Sequence, residues 1–416
     1  MRLEHSQREA GGHPTLSTWA DTIAFGSLLV AVGIWPLSPA IKEIGVWVTV
    51  GAWLASHLVA RKRPMRLAIM LPFLLWFGAG ALSMVHSVSL RASVMGLVKI
   101  LKAMGIVFAT AHVVRTKRRM TALLSAALIG AALASLDGFW QLLHGADALY
   151  QRPPGTAVGH LLRLTAAFGH ANDFGVYAIS VLPVGIALAR GMTDRGRRVL
   201  AWTAVALLAV ALPLTLSRGA ALGITVALLV WCFVRRAWRT LAACCGVVVV
   251  GLVCLPAPLR HWAVNQGSWF NALVLPERPQ IWQATINMIT AHPIIGVGIN
   301  TFVLNYSRYK SSTDVIHSAY AHNHYLHLTA ELGLLGLAAF LWFLASTARV
   351  WWRLLASHDS WLQLMVAGLG CGVIAFLVIG LLESALYSSH TNLGFWLWVG
   401  LLHGFGARQP VSHNTA

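Results

Sequence analysis

Acidic residues are scarce in this chain. Thirteen Asp and Glu face 31 Lys and Arg over 416 residues, for a formal net charge of +18. Charge of either sign is thin, at 11% of residues, where soluble domains carry about 25%. That excludes a soluble globular domain, and a 57% hydrophobic composition points to an α-helical bundle in a membrane. Cysteine is limited to Cys232, Cys244, Cys245, Cys254 and Cys371, all in or beside apolar segments, which excludes a disulfide framework for an exported loop. A cleavable leader is lacking: the chain is polar through Thr18, so the first apolar segment is expected to stay as a span. No convincing internal repeat is present, so the related halves common in transporters are missing.

Long apolar runs are what the chain has in abundance. A helix needs about 20 apolar residues to cross the hydrocarbon core, and about twelve segments qualify. They centre near residues 27, 51, 76, 104, 131, 181, 207, 226, 248, 338, 372 and 398. The fourth is the weakest, because Lys99 and Lys102 interrupt it; a short interfacial helix from about Leu90 is expected before it. Basic residues cluster at Arg61-Lys62-Arg63 with Arg66, at Arg115 with Lys117-Arg118-Arg119, at Arg190 with Arg195, Arg197 and Arg198, at Arg235, Arg236 and Arg239, and at Arg349 and Arg353. These clusters fall in alternate loops on the side of both termini, which the positive-inside rule assigns to the cytoplasm. Short clusters between apolar runs are topology signals and phospholipid contacts, and they exclude a nucleic-acid-binding face. The expected fold is an all-α integral membrane protein of about 12 transmembrane helices, a single polytopic domain over residues 1–416.

Two sizeable loops fall on the opposite, outer side. One runs from about His144 to His170 and the other over residues 258–325. A loop of the second length is usually functional or carries its own helices. The polar stretch from Glu277 to Gly336 concentrates arginine, histidine, asparagine and aromatic residues between apolar segments. Residues 280–291 are expected to be helical, with Pro293 ending the helix and Gly296 and Gly298 marking a turn. A second helix is expected over 323–348, leading into the tenth span.

The chemistry-bearing residues sit at this outer surface. Arg163, Arg218 and Arg278 each lie where a segment meets it, and Arg218 stands in LTLSRGAALG, a junction too tight for an ordinary loop. Guanidinium forks bind phosphate oxygens in a geometry lysine cannot reproduce, so several arginines at one interface suit a lipid diphosphate. The same arginines also suit snorkelling to headgroups or structural pairing with Glu277 or Glu331. The segment HSAYAHNHYLH holds His317, His322, His324 and His327. Histidine can take a proton from an attacking hydroxyl, and its spacing here also suits metal binding or plain capping. The outer carboxylates, Glu43, Asp137, Asp147, Asp173, Glu277, Asp314, Glu331 and Glu383, form no Asp-x-Asp pair, which speaks against a metal-bridged diphosphate. No metal or other cofactor is expected. Tyr320, Asn323 and His324 neighbour His322 as candidates for positioning substrate.

His322 and Asn323 are followed, after nine residues, by Gly333 and Gly336. Upstream, RPQIWQATINMITAHPIIGVGINTF places Arg278, Trp282, His292, Pro293, Gly296 and Gly298 in one run, and RLTAAFGHANDFG precedes a span. These motifs resemble the O-antigen ligase and polymerase superfamily over roughly residues 160–345. The resemblance implies a glycosyltransferase of GT-C architecture in the bacterial inner membrane, with its active site in the periplasmic loop. It implies metal-independent, inverting transfer of O-antigen glycan from undecaprenyl diphosphate to a lipid A-core hydroxyl, with membrane lipids as the other partners. In that scheme Arg218 and Arg278 bind the diphosphate, Arg163 is a third candidate, and His322 is the base or orients the diphosphate. O-antigen polymerase and protein O-oligosaccharyltransferase are the alternatives within the family. The short tail after the last span, Ala407–Ala416, favours the ligase. A twelve-span transporter or flippase is the competing class, but it should place its ionisable residues at mid-membrane.

Overall fold

The computed structural model describes residues 16–61, 65, 67–156, 162–239, 278–311, 316 and 320–408. Within them the chain is almost wholly helical: α1 (Leu16–Ile34), α2 (Pro39–Val59), α3 (Met70–Ser83), α4 (Leu90–Val113), α5 (Lys117–His144), α6 (Ala171–Gly191), α7 (Arg195–Leu214), α8 (Arg218–Arg235), α9 (Arg278–Ala291), α10 (Phe302–Tyr309), α11 (His324–Leu355), α12 (Ser360–Ile379) and α13 (Leu393–Gly406). One two-residue hairpin pairs β1 (Gly155–Thr156) with β2 (Leu162–Arg163).

Eight of these helices, α1, α4, α5, α6, α7, α8, α11 and α12, are long and apolar enough to cross a membrane. α3 and α13 are shorter apolar helices, and α2 carries Lys42 and Glu43 in an otherwise apolar sequence. The chain is therefore a multi-pass membrane protein. Every expected span centre falls on one of these helices except that near residue 248, which lies outside the described residues. Lys62, Arg63, Arg66, Cys244, Cys245, Cys254, Glu277, Asp314 and His317 lie outside them too. The separate interfacial helix expected from Leu90 is absent; α4 runs unbroken for 24 residues, with Ser89 capping its first turn at Ala92 N.

Polar caps explain where the other helices start. Thr116 caps α5, Asp194 caps α7, Ser217 caps α8 and Asp359 caps α12, each accepting from a first-turn amide. The Asp359 carboxyl also meets Lys117 Nζ at 2.7 Å, and that hydrogen bond holds it below the usual carboxylate range. α6 is the central helix: 83% of its apolar window is buried, against 28% for α1, whose outer face is left for lipid. α6 packs on α7, α8 and α12; α4 packs on α13, and α3 on α11.

The expected helix over 323–348 exists but is broken. Gly333 has φ +64° and ψ −170°, a conformation open essentially to glycine alone. The break frees backbone groups, and the turn after α9 takes them up. Leu334 N donates to Pro293 O at 2.8 Å and Leu335 N to Ile294 O at 3.2 Å, while Val297 N and Gly298 N donate to Ala330 O and Glu331 O. Gly296, also at positive φ, lies where a side chain would strike the Glu331 backbone. The two glycine-bearing motifs are thus two halves of one contact. Gly333→Ala should lose this docking at a cost of about 1–3 kcal/mol. The expected result is a lower unfolding temperature in detergent and faster proteolysis of the 292–298 turn; a wild-type melting curve would contradict the account.

Candidate active site

One end of the bundle gathers the start of α6, the α7–α8 junction, the start of α9, the turn before α11 and the segment between α12 and α13. The centre of this group is Glu383, whose side chain is 14% exposed. Its Oε1 accepts from Arg278 Nη2 at 2.8 Å and from Asn172 Nδ2 at 2.8 Å. Its Oε2 lies 3.1 Å from His322 Nδ1. One carboxylate thereby ties together residues more than 200 positions apart in the chain.

Arg278 opens α9 and is 4% exposed. Its Nε is buried without a hydrogen-bond partner. Buried donors are nearly always satisfied, and guanidinium has five N–H groups to satisfy. A site that leaves one bare beside a fixed positive charge fits an anionic ligand. Four residues into α9, Trp282 Nε1 donates to Ala321 O at 2.9 Å. α9 therefore sets both the arginine and the backbone that precedes His322.

His322 itself has φ +47°, a left-handed conformation that costs a non-glycine residue energy. Its side chain is 39% exposed. With a carboxylate as acceptor, Nδ1 is the donor; in the neutral ring that tautomer has its lone pair on Nε2. The next residue, Asn323, turns its side chain to the helix: Oδ1 accepts from Tyr325 N and Leu326 N at 3.0 Å each and caps α11. Asn323 so holds the end of α11 against which His322 is presented.

Arg163 reaches the same group from β2. Its Nη2 donates to Asn172 Oδ1 at 2.8 Å and its Nε to Thr215 O at 2.8 Å, while Leu164 N donates to Leu214 O at 2.9 Å. Burial lowers the Arg163 guanidinium from its ordinary value; Glu383 opposes that shift and Arg218 adds to it. Arg218 is half-buried at the first position of α8, after Leu216 at φ +49° and the Ser217 cap. The tight junction read in the sequence is therefore three residues long, Thr215 to Ser217.

The histidines separate. His324, expected to touch substrate, does not face solvent: it is 1% exposed, and its ring is stacked on Phe376 at 5.8 Å between centroids. Its backbone N donates to Gly380 O at 2.8 Å, and its ring occupies the space that a side chain at position 380 would need. His324 is better described as the peg that seats the segment bearing Glu383. His327 is also buried, stacked on Tyr387 at 3.7 Å, with Nδ1 3.3 Å from Ser384 Oγ and Nε2 3.4 Å from Glu331 Oε1. Tyr320 is 54% exposed, its ring 5.8 Å from that of His327. Among the described residues no three His, Cys, Asp or Glu side chains converge as metal ligands do.

Glu383 and Asn172 are the members of this group that sequence reasoning did not single out. A signal for Glu383 existed: it is the one carboxylate in the apolar run LVIGLLESALY, and an ionisable residue so placed is a functional candidate by default.

The sequence model of the O-antigen ligase family matches residues 203–341. That interval contains Arg218, Arg278, His322, Gly333 and Gly336, and so the polar turn, the break in α11 and two of the three arginines. No curated protein sequence matches the chain. Over residues 203–341 the chain is thus similar to the O-antigen ligase family.

Proposed function

We propose that this protein is an O-antigen ligase. It moves a glycan from undecaprenyl diphosphate to a hydroxyl of the lipid A-core oligosaccharide, at the periplasmic face of the bacterial inner membrane. The observation that carries the reading is the Glu383 bridge, which sets the His322 imidazole beside an Arg278 guanidinium with an unsatisfied buried donor. The arrangement of the basic loops supports cytoplasmic termini and a site on the outer side. A GT-C architecture, a single polytopic domain and independence from metal belong to the same proposal.

In this reaction the acceptor hydroxyl approaches His322. Nε2 takes its proton, and the oxygen attacks the anomeric carbon of the donor sugar. The bond from that carbon to the phosphate oxygen breaks on the opposite face, its electron pair leaving with the diphosphate, so the anomeric centre inverts. Glu383 holds the Nδ1 proton and favours the imidazolium as it forms, in the manner of a carboxylate behind a catalytic histidine. Arg278 and Arg218 take the charge that develops on the diphosphate, and Arg163 orients Asn172 and, through it, Glu383. Preorganised donors of this kind are worth about 10²–10³ in rate each. Asn323 and His324 hold the turn, and exposed Tyr320 is free to meet the glycan.

In vitro transfer from a defined undecaprenyl-diphosphate glycan to purified lipid A-core, without added metal, tests the proposal. His322→Ala is expected to slow transfer by about 10²–10⁴-fold while the protein still elutes as a folded species. Full activity in that variant would remove His322 from the mechanism. Product formed only on the growing glycan would make the enzyme the polymerase, and product on a pilin-like protein the oligosaccharyltransferase.

Two substitutions separate charge from geometry. Arg218→Lys keeps the charge and loses the fork, and is expected to lower transfer by about 10²-fold. Glu383→Gln keeps an acceptor oxygen for Arg278 and removes the charge behind His322. Its expected signature is a drop in kcat with little change in KM for the donor; a change confined to KM would make Glu383 a binding residue instead.

A further inference from the structure

A second polar site lies in the bundle, and none of the residues of the Glu383 group lines it. It is a cavity of about 170 Å³ between α2, α4, α11 and α13. Lys42, Glu43, Lys99, Lys102, Asn300 and Glu331 form its polar side, and Trp76 and Trp396 stand in its apolar wall. Charges in a membrane bundle are expensive, and those retained usually face a partner or a pathway.

The partners inside the cavity do not balance. Glu43 serves two ammonium groups, Lys42 Nζ at 3.0 Å and Lys102 Nζ at 2.9 Å. Lys99 Nζ donates to a neutral group, Asn300 Oδ1 at 2.8 Å, and forms no ion pair with any described residue. Glu331 is 1% exposed; its Oε1 accepts from Phe302 N at 2.9 Å, and its Oε2 has no partner. Three lysines thus face two carboxylates, and Glu331, whose charge acts on Lys99, keeps one oxygen without a hydrogen-bond partner. A phosphoryl group answers the first and a hydroxyl donor the second. The approach is through lipid: beside the lysines, α2 exposes Ile44 at 64% and α4 exposes Met95 at 55%.

We propose that this cavity binds the headgroup of a lipid phosphate that carries its own hydroxyl donors, with Lys99 and Lys102 on the phosphoryl oxygens and Glu331 Oε2 accepting from a hydroxyl. The site lies apart from the Glu383 group, and its occupancy can be read without the transfer reaction. Phosphatidylglycerol and a polyprenyl-diphosphate glycan both have this chemistry; phosphatidylcholine has the phosphoryl group without a donor.

Native mass spectrometry of the full chain in detergent, titrated with each lipid, reads binding directly and leaves transfer aside. Phosphatidylglycerol is expected to bind about tenfold more tightly than phosphatidylcholine, the difference of one hydrogen bond to a charged group. Lys99→Gln, at an exposed position, should weaken binding of both lipids, whereas Glu331→Gln, which keeps the acceptor for Phe302 N, should remove the preference. Equal binding of the two lipids by the wild type, wild-type affinity in Lys99→Gln, or wild-type preference in Glu331→Gln would overturn the proposal, as would inorganic phosphate binding as tightly as phosphatidylglycerol. Displacement of phosphatidylglycerol by a polyprenyl-diphosphate glycan supports the site and makes the substrate its occupant; retention supports it and makes the occupant a bilayer phospholipid.

Discussion

A buried carboxylate is tolerated only where opposite charge and hydrogen bonds replace the water it has lost. Glu383 meets that condition through Arg278, Asn172 and His322, and the arrangement of this end of the bundle depends on it. Removing Arg278 leaves the Glu383 carboxylate without its arginine, so the segments that supply these partners are held together by electrostatics as well as by packing. Arg163 extends the network to the α7–α8 junction by gripping both Asn172 and Thr215 O. The result is a hydrogen-bonded frame around the His322 imidazole, which is held by one ring nitrogen.

A second constraint supports the first. The turn after α9 and the break in α11 exchange backbone hydrogen bonds, and both sides need glycine to come close enough. This fixes α9 against the first part of α11. Since α9 carries Arg278 and, through Trp282, holds the carbonyl before His322, the docking of the two glycine motifs at their glycine ends sets the spacing of Arg278 and His322 at their other ends. His324 completes the seat from the other side by bonding the Gly380 carbonyl.

Much of the architecture was legible because the bilayer imposes a simple rule of length and apolarity. Helices stand at the expected span centres wherever the chain is described, and α9 begins within two residues of its expected start. The single strong departure, α4 as one continuous helix, came from reading Lys99 and Lys102 as an interruption. Their cost is met instead by Asn300 and Glu43, groups far away in sequence. Likewise the histidine cluster was visible as a cluster, but not its division into one half-exposed ring and two buried ones, since helical phase and the closeness of Phe376 and Tyr387 decide which ring is covered.

By itself, the sequence determined that the chain is a helical membrane protein, where its described apolar helices lie, and which residue types collect in one polar stretch. Those properties follow from local hydropathy and short-range motif spacing. Only the tertiary structure decided that Glu383 lies between Arg278 and His322, that Asn323 spends its side chain on a helix cap, that His324 is a buried peg, and that Glu331 lines a cavity with one oxygen left without a hydrogen-bond partner. Each of those outcomes is a balance between desolvation and partners contributed by distant helices, and no local pattern encodes which partners will arrive.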